Sequence, residues 1–124
     1  MLTYILIGLF VGFALMLFIR SSGEKNYNNV SITDLPHLMK DKNTVLVDVR
    51  TPRETRQGMI GKPLKIELGS GMEQKFSTLD KNKKYVLYCR SGVRSVSASN
   101  KMANMGFKDV NNLRGGYLAW QRNN

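Results

Sequence analysis

Cysteine and histidine are almost missing from this sequence, which has one of each, Cys89 and His37. A single cysteine excludes an internal disulfide. One cysteine with one histidine is also too few for a zinc site of ordinary ligand count. Proline occurs three times in 124 residues, and neither an internal repeat nor a low-complexity tract is found. Negative charge is short as well: 9 Asp and Glu stand against 19 Lys and Arg, leaving a formal net charge of +10. Before Arg20 there is no charged side chain at all.

That last absence defines the first segment. Met1 to Ile19 reads MLTYILIGLFVGFALMLFI, and roughly 17–25 apolar residues suffice to cross a hydrocarbon core of about 30 Å. A cleaved signal peptide, and with it export, is the alternative. It calls for a basic start, an apolar stretch of about 7–15 residues and a small-residue cleavage site, none of which fits here. The expectation is a retained transmembrane helix over residues 1–20, a polar tether over 21–29 (SSGEKNYNN) and one small domain over 30–124. Because every Lys and Arg lies at or after Arg20, the positive-inside bias puts the domain in the cytoplasm, on a single-pass anchor. Gly8 and Gly12 form a G-x-x-x-G spacing with which two such helices would make a weak homodimer.

The positive charge belongs wholly to the domain, so its candidate partners are nucleic acid, an anionic membrane leaflet or an anionic small substrate. The basic residues are scattered along the chain rather than clustered. Nucleic acid is therefore not expected as a partner. His37 falls on a short helix without a partner motif and reads as a surface or structural residue.

Strands and short helices alternate through the domain. TVLVDV (44–49), LKIEL (64–68), KYVLY (84–88) and DVNNL (109–113) read as strands, and the β-branched character of the first suits burial on both faces. SITDLPHLMK, with Thr33 as its cap, reads as a helix, as do the segments around Met72–Leu79, after Ser95 as far as Gly106, and YLAWQR. TPRETRQG carries Thr51 as cap, Pro52 at the first helical position, Glu54 three residues after the cap and Gly58 as stop. Such alternation predicts an α/β fold with a parallel sheet covered on both faces. Ligands in these sheets bind beyond the carboxyl ends of the strands, and Cys89 stands at one of those ends.

The loop there is Cys89-Arg90-Ser91-Gly92-Val93-Arg94-Ser95. A short turn between a strand ending at Tyr88 and a helix beginning near Ser95 aims backbone N–H groups at the sulfur. Gly92 permits the required conformation, and the helix adds its positive end. Arg90 and Arg94 add full charges. A thiol so placed has its pKa depressed from about 8.5 toward roughly 3.5–7.5 and acts as a nucleophile, unlike the buried, inert cysteine of an ordinary core.

These residues carry a family resemblance. The loop resembles that of the rhodanese-like sulfurtransferases. LVDVRTPRE is similar to that family's Asp-x-Arg-x-x-x-Glu element, through Asp48, Arg50 and Glu54, and NLRGGYLAW to its C-terminal element, through Gly115, Gly116 and Trp120. The elements keep the family's order from about Val45 to Trp120. The resemblance implies a parallel five-stranded sheet flanked by helices, with no metal and no organic cofactor. It implies that Cys89 takes a sulfane sulfur from an anionic donor such as thiosulfate, forms a persulfide, and passes the sulfur to a thiol or cyanide. Arg90, Ser91, Gly92, Val93, Arg94 and Ser95 would bind the donor, with Ser91, Gly92, Val93 and Ser95 acting mainly through backbone N–H. Arg50 and Glu54 are expected to form a structural ion pair bracing the sheet, and Asp48 to help position the loop. One departure stands beside the site: where the family reads Gly-His-Ile-x-Gly-Ala, this chain has GMIGKP from Gly58 to Pro63, with Met59 in place of the histidine.

Phosphatases and arsenate reductases related to this fold need the longer Cys-x5-Arg loop, which closes an arginine around an anion. Here Ser95 stands where that arginine would fall, and the phosphatase reading is set aside. A second class stays open: a membrane-tethered sulfur-relay or binding module loaded only by protein partners. In either case no resolving thiol exists in the chain, so the acceptor is external.

Overall fold

The computed structural model describes residues 2–23 and 26–124, with the backbone alone for 15–23. The elements are α1 (Leu2–Gly23), β1 (Asn28–Val30), α2 (Leu35–Met39), β2 (Thr44–Asp48), α3 (Pro52–Arg56), β3 (Leu64–Lys65), α4 (Met72–Phe76), β4 (Lys84–Tyr88), α5 (Arg94–Asn104), β5 (Asp109–Leu113) and α6 (Gly116–Arg122). The strands form one five-stranded sheet in the order β1-β5-β4-β2-β3. All its pairings are parallel, as the alternating pattern predicts.

Side chains alternate across a strand, and β4 shows the consequence. Tyr85 and Leu87 enter a core shared with Met72 and Phe76 of α4 and Ala98 and Met102 of α5. Val86 and Tyr88 enter the opposite core, with Leu35, Ile60 and Leu113 and, partly buried, Tyr117 and Trp120. Each large apolar side chain fully buried in this way stabilises the fold by ~1.5–3 kcal/mol. Cys89 continues the alternation and falls on the α4–α5 side.

Strand order places the functional end. From β2 the chain passes outward to β3, whereas from β4 it passes the other way to β5. The connections therefore diverge between β2 and β4, which makes their carboxyl ends the topological switch point, where a crevice opens. The Asp48–Glu54 segment follows one of these ends and the Cys89 loop the other.

Two expectations need correction, and a third finds no support. The folded unit starts before residue 30, because Tyr27 is buried in the core and Asn28 and Asn29 pair with Asn111 and Asn112 of β5. Of the expected tether over 21–29, residues 21–23 continue α1, and 24–25 lie outside the described residues. The cap of α2 is Asp34, not Thr33, and its carboxylate accepts from the Ser31 amide at 3.0 Å. Last, the expected transmembrane helix over 1–20 is not supported: among the described residues no helix is long and apolar enough to cross a membrane. Met1 and the side chains of 15–20, part of that expectation, lie outside the described ones.

Candidate active site

Cys89 immediately follows β4 and its side chain is fully buried. Gly92, at φ +95°, turns the loop so that its amide donates to Cys89 Sγ at 3.1 Å. The Ser95 hydroxyl, in the first turn of α5, lies 3.5 Å from the same sulfur. Burial pushes the Cys89 thiol up, but the Ser95 hydroxyl and the amides of Ser95, Gly92 and Ser91 outweigh it and hold the pKa below the ordinary value. The sulfur thus sits in an anion cradle of the kind that successive N–H groups form. Ser95 contributes its hydroxyl as well as its amide, which the sequence did not indicate. The loop's other side chains point away, with Arg90, Ser91 and Val93 exposed.

The ion pairs are not those expected. Arg50 pairs with Asp48: Nη2 donates to Oδ2 at 2.8 Å and Nε to Oδ1 at 3.0 Å, with both side chains buried. Glu54 pairs instead with Arg94 through two hydrogen bonds of 2.8 Å. The expected Arg50–Glu54 bridge is replaced because Asp48 lies two residues from Arg50 on the same buried face, while Glu54 projects from α3 toward the start of α5. Arg94 lowers Glu54 to a pKa of about 2, with burial opposing and Thr51 assisting. The Thr51–Glu54 capping box predicted for α3 is present.

Further groups brace this end of the sheet. Arg50 Nη2 also donates to the Gly58 carbonyl at 2.6 Å, and its guanidinium lies 4.2 Å from the Tyr117 ring centre. The Tyr88 hydroxyl accepts from the Ile60 amide at 3.0 Å. GMIGKP, with Met59 in the histidine's place, is therefore held at Gly58 by Arg50 and at Ile60 by Tyr88 of β4. Gly116 lets α6 approach so closely that the Tyr117 and Leu118 amides donate to the Cys89 and Arg90 carbonyls at 2.9 and 3.0 Å. A Cβ on Gly116 would collide with both carbonyls. A cavity of about 310 Å³ beside the loop is lined by Arg50, Glu54, Gln57, Arg90, Tyr117, Leu118 and Gln121. His37 is exposed on α2.

Two residues linked to the Ser95 hydroxyl were missed. Asn112 accepts from Ser95 Oγ at 2.5 Å, and its Nδ2 donates to Asn29 Oδ1 at 3.1 Å. The signal was present in DVNNL: asparagine inside a strand covered on both faces must find hydrogen-bond partners.

A parallel α/β sheet with a cysteine cradled at its switch point defines the class. The chain belongs to the family described as the rhodanese-like domain, which matches residues 31–123. It is 38% identical over 96 residues to a protein of Allochromatium vinosum named sulfurtransferase, covering 77% of this chain and 89% of that one. A rhodanese-related protein from Thermoplasma volcanium has a similar structure, with a TM-score of 0.70 and 29% identity, covering 78% of this chain and 93% of that one. A tRNA uridine(34) hydroxylase of Buchnera aphidicola is 31% identical over 104 residues, covering 77% of this chain but only 33% of the hydroxylase. The family and the relative named sulfurtransferase support a sulfurtransferase of the rhodanese type.

Proposed function

We propose that the protein moves a sulfane sulfur from an anionic donor, thiosulfate or a persulfide, to an external thiol or cyanide through a persulfide on Cys89. The observation that carries this reading is the cradle: a buried sulfur facing the Gly92 amide and the Ser95 hydroxyl, with a lowered pKa. With thiosulfate, the Cys89 thiolate attacks the outer sulfur. A new S–S bond forms, the old one breaks, and sulfite leaves with the electron pair. The acceptor thiolate or cyanide then attacks the outer sulfur of the persulfide and restores the Cys89 thiolate. No external oxidant or reductant enters the cycle.

In this reading the amides of Ser91, Gly92, Val93 and Ser95 hold the anionic persulfide, and Arg90 draws the donor in from the rim. Arg94, neutralised by Glu54, acts mainly by fixing the loop. Asp48, Arg50 and Glu54 support the site without touching the sulfur. Partners are small anionic donors and external thiols, not nucleic acid. The tRNA hydroxylase match covers only a third of that protein, and no reading of this chain is drawn from its activity.

Attachment to a membrane through residues 1–20, with the domain cytoplasmic, remains part of the proposal. What supports it is the uncharged run before Arg20 and the outward exposure of Leu2, Tyr4, Ile5, Leu6, Ile7, Leu9, Phe10, Val11 and Phe13. A second reading, a relay module loaded only by protein persulfides, is favoured by Val93, which is 73% exposed at the tip of the loop.

Intact-protein mass after incubation with thiosulfate tests the proposal, alongside Cys89→Ser. A gain of one sulfur atom, reversed by cyanide and absent from the variant, is the expected result. No gain from thiosulfate, but a gain from a protein persulfide, would favour the relay.

A further inference from the structure

Ser95 Oγ carries one hydrogen and has two acceptors in reach, Cys89 Sγ at 3.5 Å and Asn112 Oδ1 at 2.5 Å. A hydroxyl donates once and accepts through its lone pairs, so it cannot serve both at one time. Cys89, Ser95 and Asn112 are buried, and water cannot readily make up the difference. Asn112 hands its own Nδ2–H to Asn29 Oδ1 at 3.1 Å. Asn29 is exposed on β1, an edge strand of the sheet. A single file of hydrogen bonds therefore runs from the reactive sulfur to the protein surface.

We propose that Ser95, Asn112 and Asn29 form a hydrogen-bond relay that reverses direction when Cys89 changes from thiol to thiolate, which makes Asn112 a positioning residue for the nucleophile. In the thiol state the S–H points to Ser95 Oγ, the hydroxyl to Asn112 Oδ1, and Asn112 Nδ2–H to Asn29 Oδ1. When the thiol proton leaves to water, the hydroxyl turns its hydrogen to the sulfur. Asn112 Oδ1 then faces an oxygen lone pair. A half-turn of the amide brings Nδ2–H to Ser95 Oγ instead, and Oδ1 now faces Asn29. Being exposed, Asn29 is free to turn likewise and present its own Nδ2–H. No heavy-atom bond changes and no electron is transferred, and every buried polar group is paired in both states. Leaving one unpaired is the costly alternative. The planar amide keeps its shape through the half-turn, so the packed site accommodates both directions.

The charged groups on the surrounding elements include Arg94 of α5 with Glu54 of α3, Asp48 of β2 with Arg50 after it, Arg90 on the loop, Lys84 of β4 with Asp109 of β5, Lys101 of α5 and Arg114 after β5. The test leaves all of them in place. It shares with the proposed function only the premise that Cys89 works as a thiolate, and its readout does not depend on sulfur transfer.

The rate of Cys89 alkylation by iodoacetamide is followed against pH in the full chain for wild type, Asn112→Asp, Ser95→Ala and the double variant, with thermal unfolding measured alongside. An aspartate accepts but does not donate at neutral pH, and so pins the hydroxyl away from the sulfur. The midpoint of Asn112→Asp should rise by about one pH unit, a roughly tenfold loss of thiolate below it. In the Ser95→Ala background the same substitution should move it by less than half as much. Asn29→Asp, at the exposed end, serves if the buried variant does not fold, and should give a smaller rise that again needs Ser95. A shift as large without Ser95 means a through-space charge, and an unchanged midpoint means no coupling; either overturns the relay. Failure to form a persulfide with the alkylation results intact would instead strike the proposed function alone.

Discussion

Arg94 and Glu54 meet through two parallel hydrogen bonds of 2.8 Å, joining the first residue of α5 to the capping carboxylate of α3. The pair ties the Cys89 loop to the segment that follows β2 and neutralises the Arg94 guanidinium. Arg90, exposed on the same loop, has no ion-pair partner among the described residues.

The two arginines should therefore differ. Arg90→Gln is expected to raise KM for thiosulfate by about tenfold with kcat within about twofold, as removal of uniform binding does. Arg94→Gln should chiefly lower stability. Steady-state kinetics and urea unfolding on the same preparations separate these effects, and equal KM changes would contradict the assignment.

Glu54 gives the pair a pH signature. Its folded pKa, about 2, lies below the roughly 4.3 of an unfolded glutamate. Its stabilisation is therefore fully present above about pH 4.3 and is lost as pH falls through 2. With both side chains partly exposed, the contribution is on the order of 1 kcal/mol. Urea unfolding of Glu54→Gln should show this deficit at pH 7 and a narrowing gap to wild type below pH 4. A constant gap would place the effect elsewhere.

The Asp48–Arg50 pair is buried, and removing one partner strands the other's charge. Asp48→Ala should lose roughly 3–5 kcal/mol, whereas an apolar pair of similar volume, Asp48→Leu with Arg50→Met, should recover most of it. Chemical denaturation measures both. A double variant no more stable than the single would show that Arg50's contacts with Gly58 and Tyr117 outweigh its pairing.

Gly116→Ala should separate α6 from the Cys89 and Arg90 carbonyls. A loss of at least ~2 kcal/mol is expected, since close backbone approach and a positive φ are both violated. Gly69→Ala has a positive φ but open space around it, and should lose only the strain, about 1 kcal/mol. Thermal unfolding of the two variants provides the comparison.

Membrane attachment is checked by fractionation. The full chain should sediment with membranes after an alkaline wash, and a chain lacking residues 1–23 should not, while retaining its persulfide chemistry in vitro. A full chain found entirely in the soluble fraction would remove the anchor from the proposal.

What was legible from the chain alone was local. The α3 capping box is written within four consecutive residues, Thr51 to Glu54. The end of β4 and the glycine that turns the loop stand next to Cys89, so the surroundings of its sulfur were readable from one short stretch. β1 was not, since its three residues are asparagine-rich and hold their place only by pairing with β5, across 83 residues between Asn29 and Asn112.

The choice of ion-pair partners also waited for the tertiary structure. Arg50 had two carboxylates nearby in sequence, and only the register that sets Asp48 beside Tyr88, with Arg94 arriving from α5, assigns one to each arginine. Short-range hydrogen bonds are dictated by neighbouring residues. The partner of a long charged side chain, and the asparagine behind the Cys89 and Ser95 pair, are settled by which strand ends the sheet brings together.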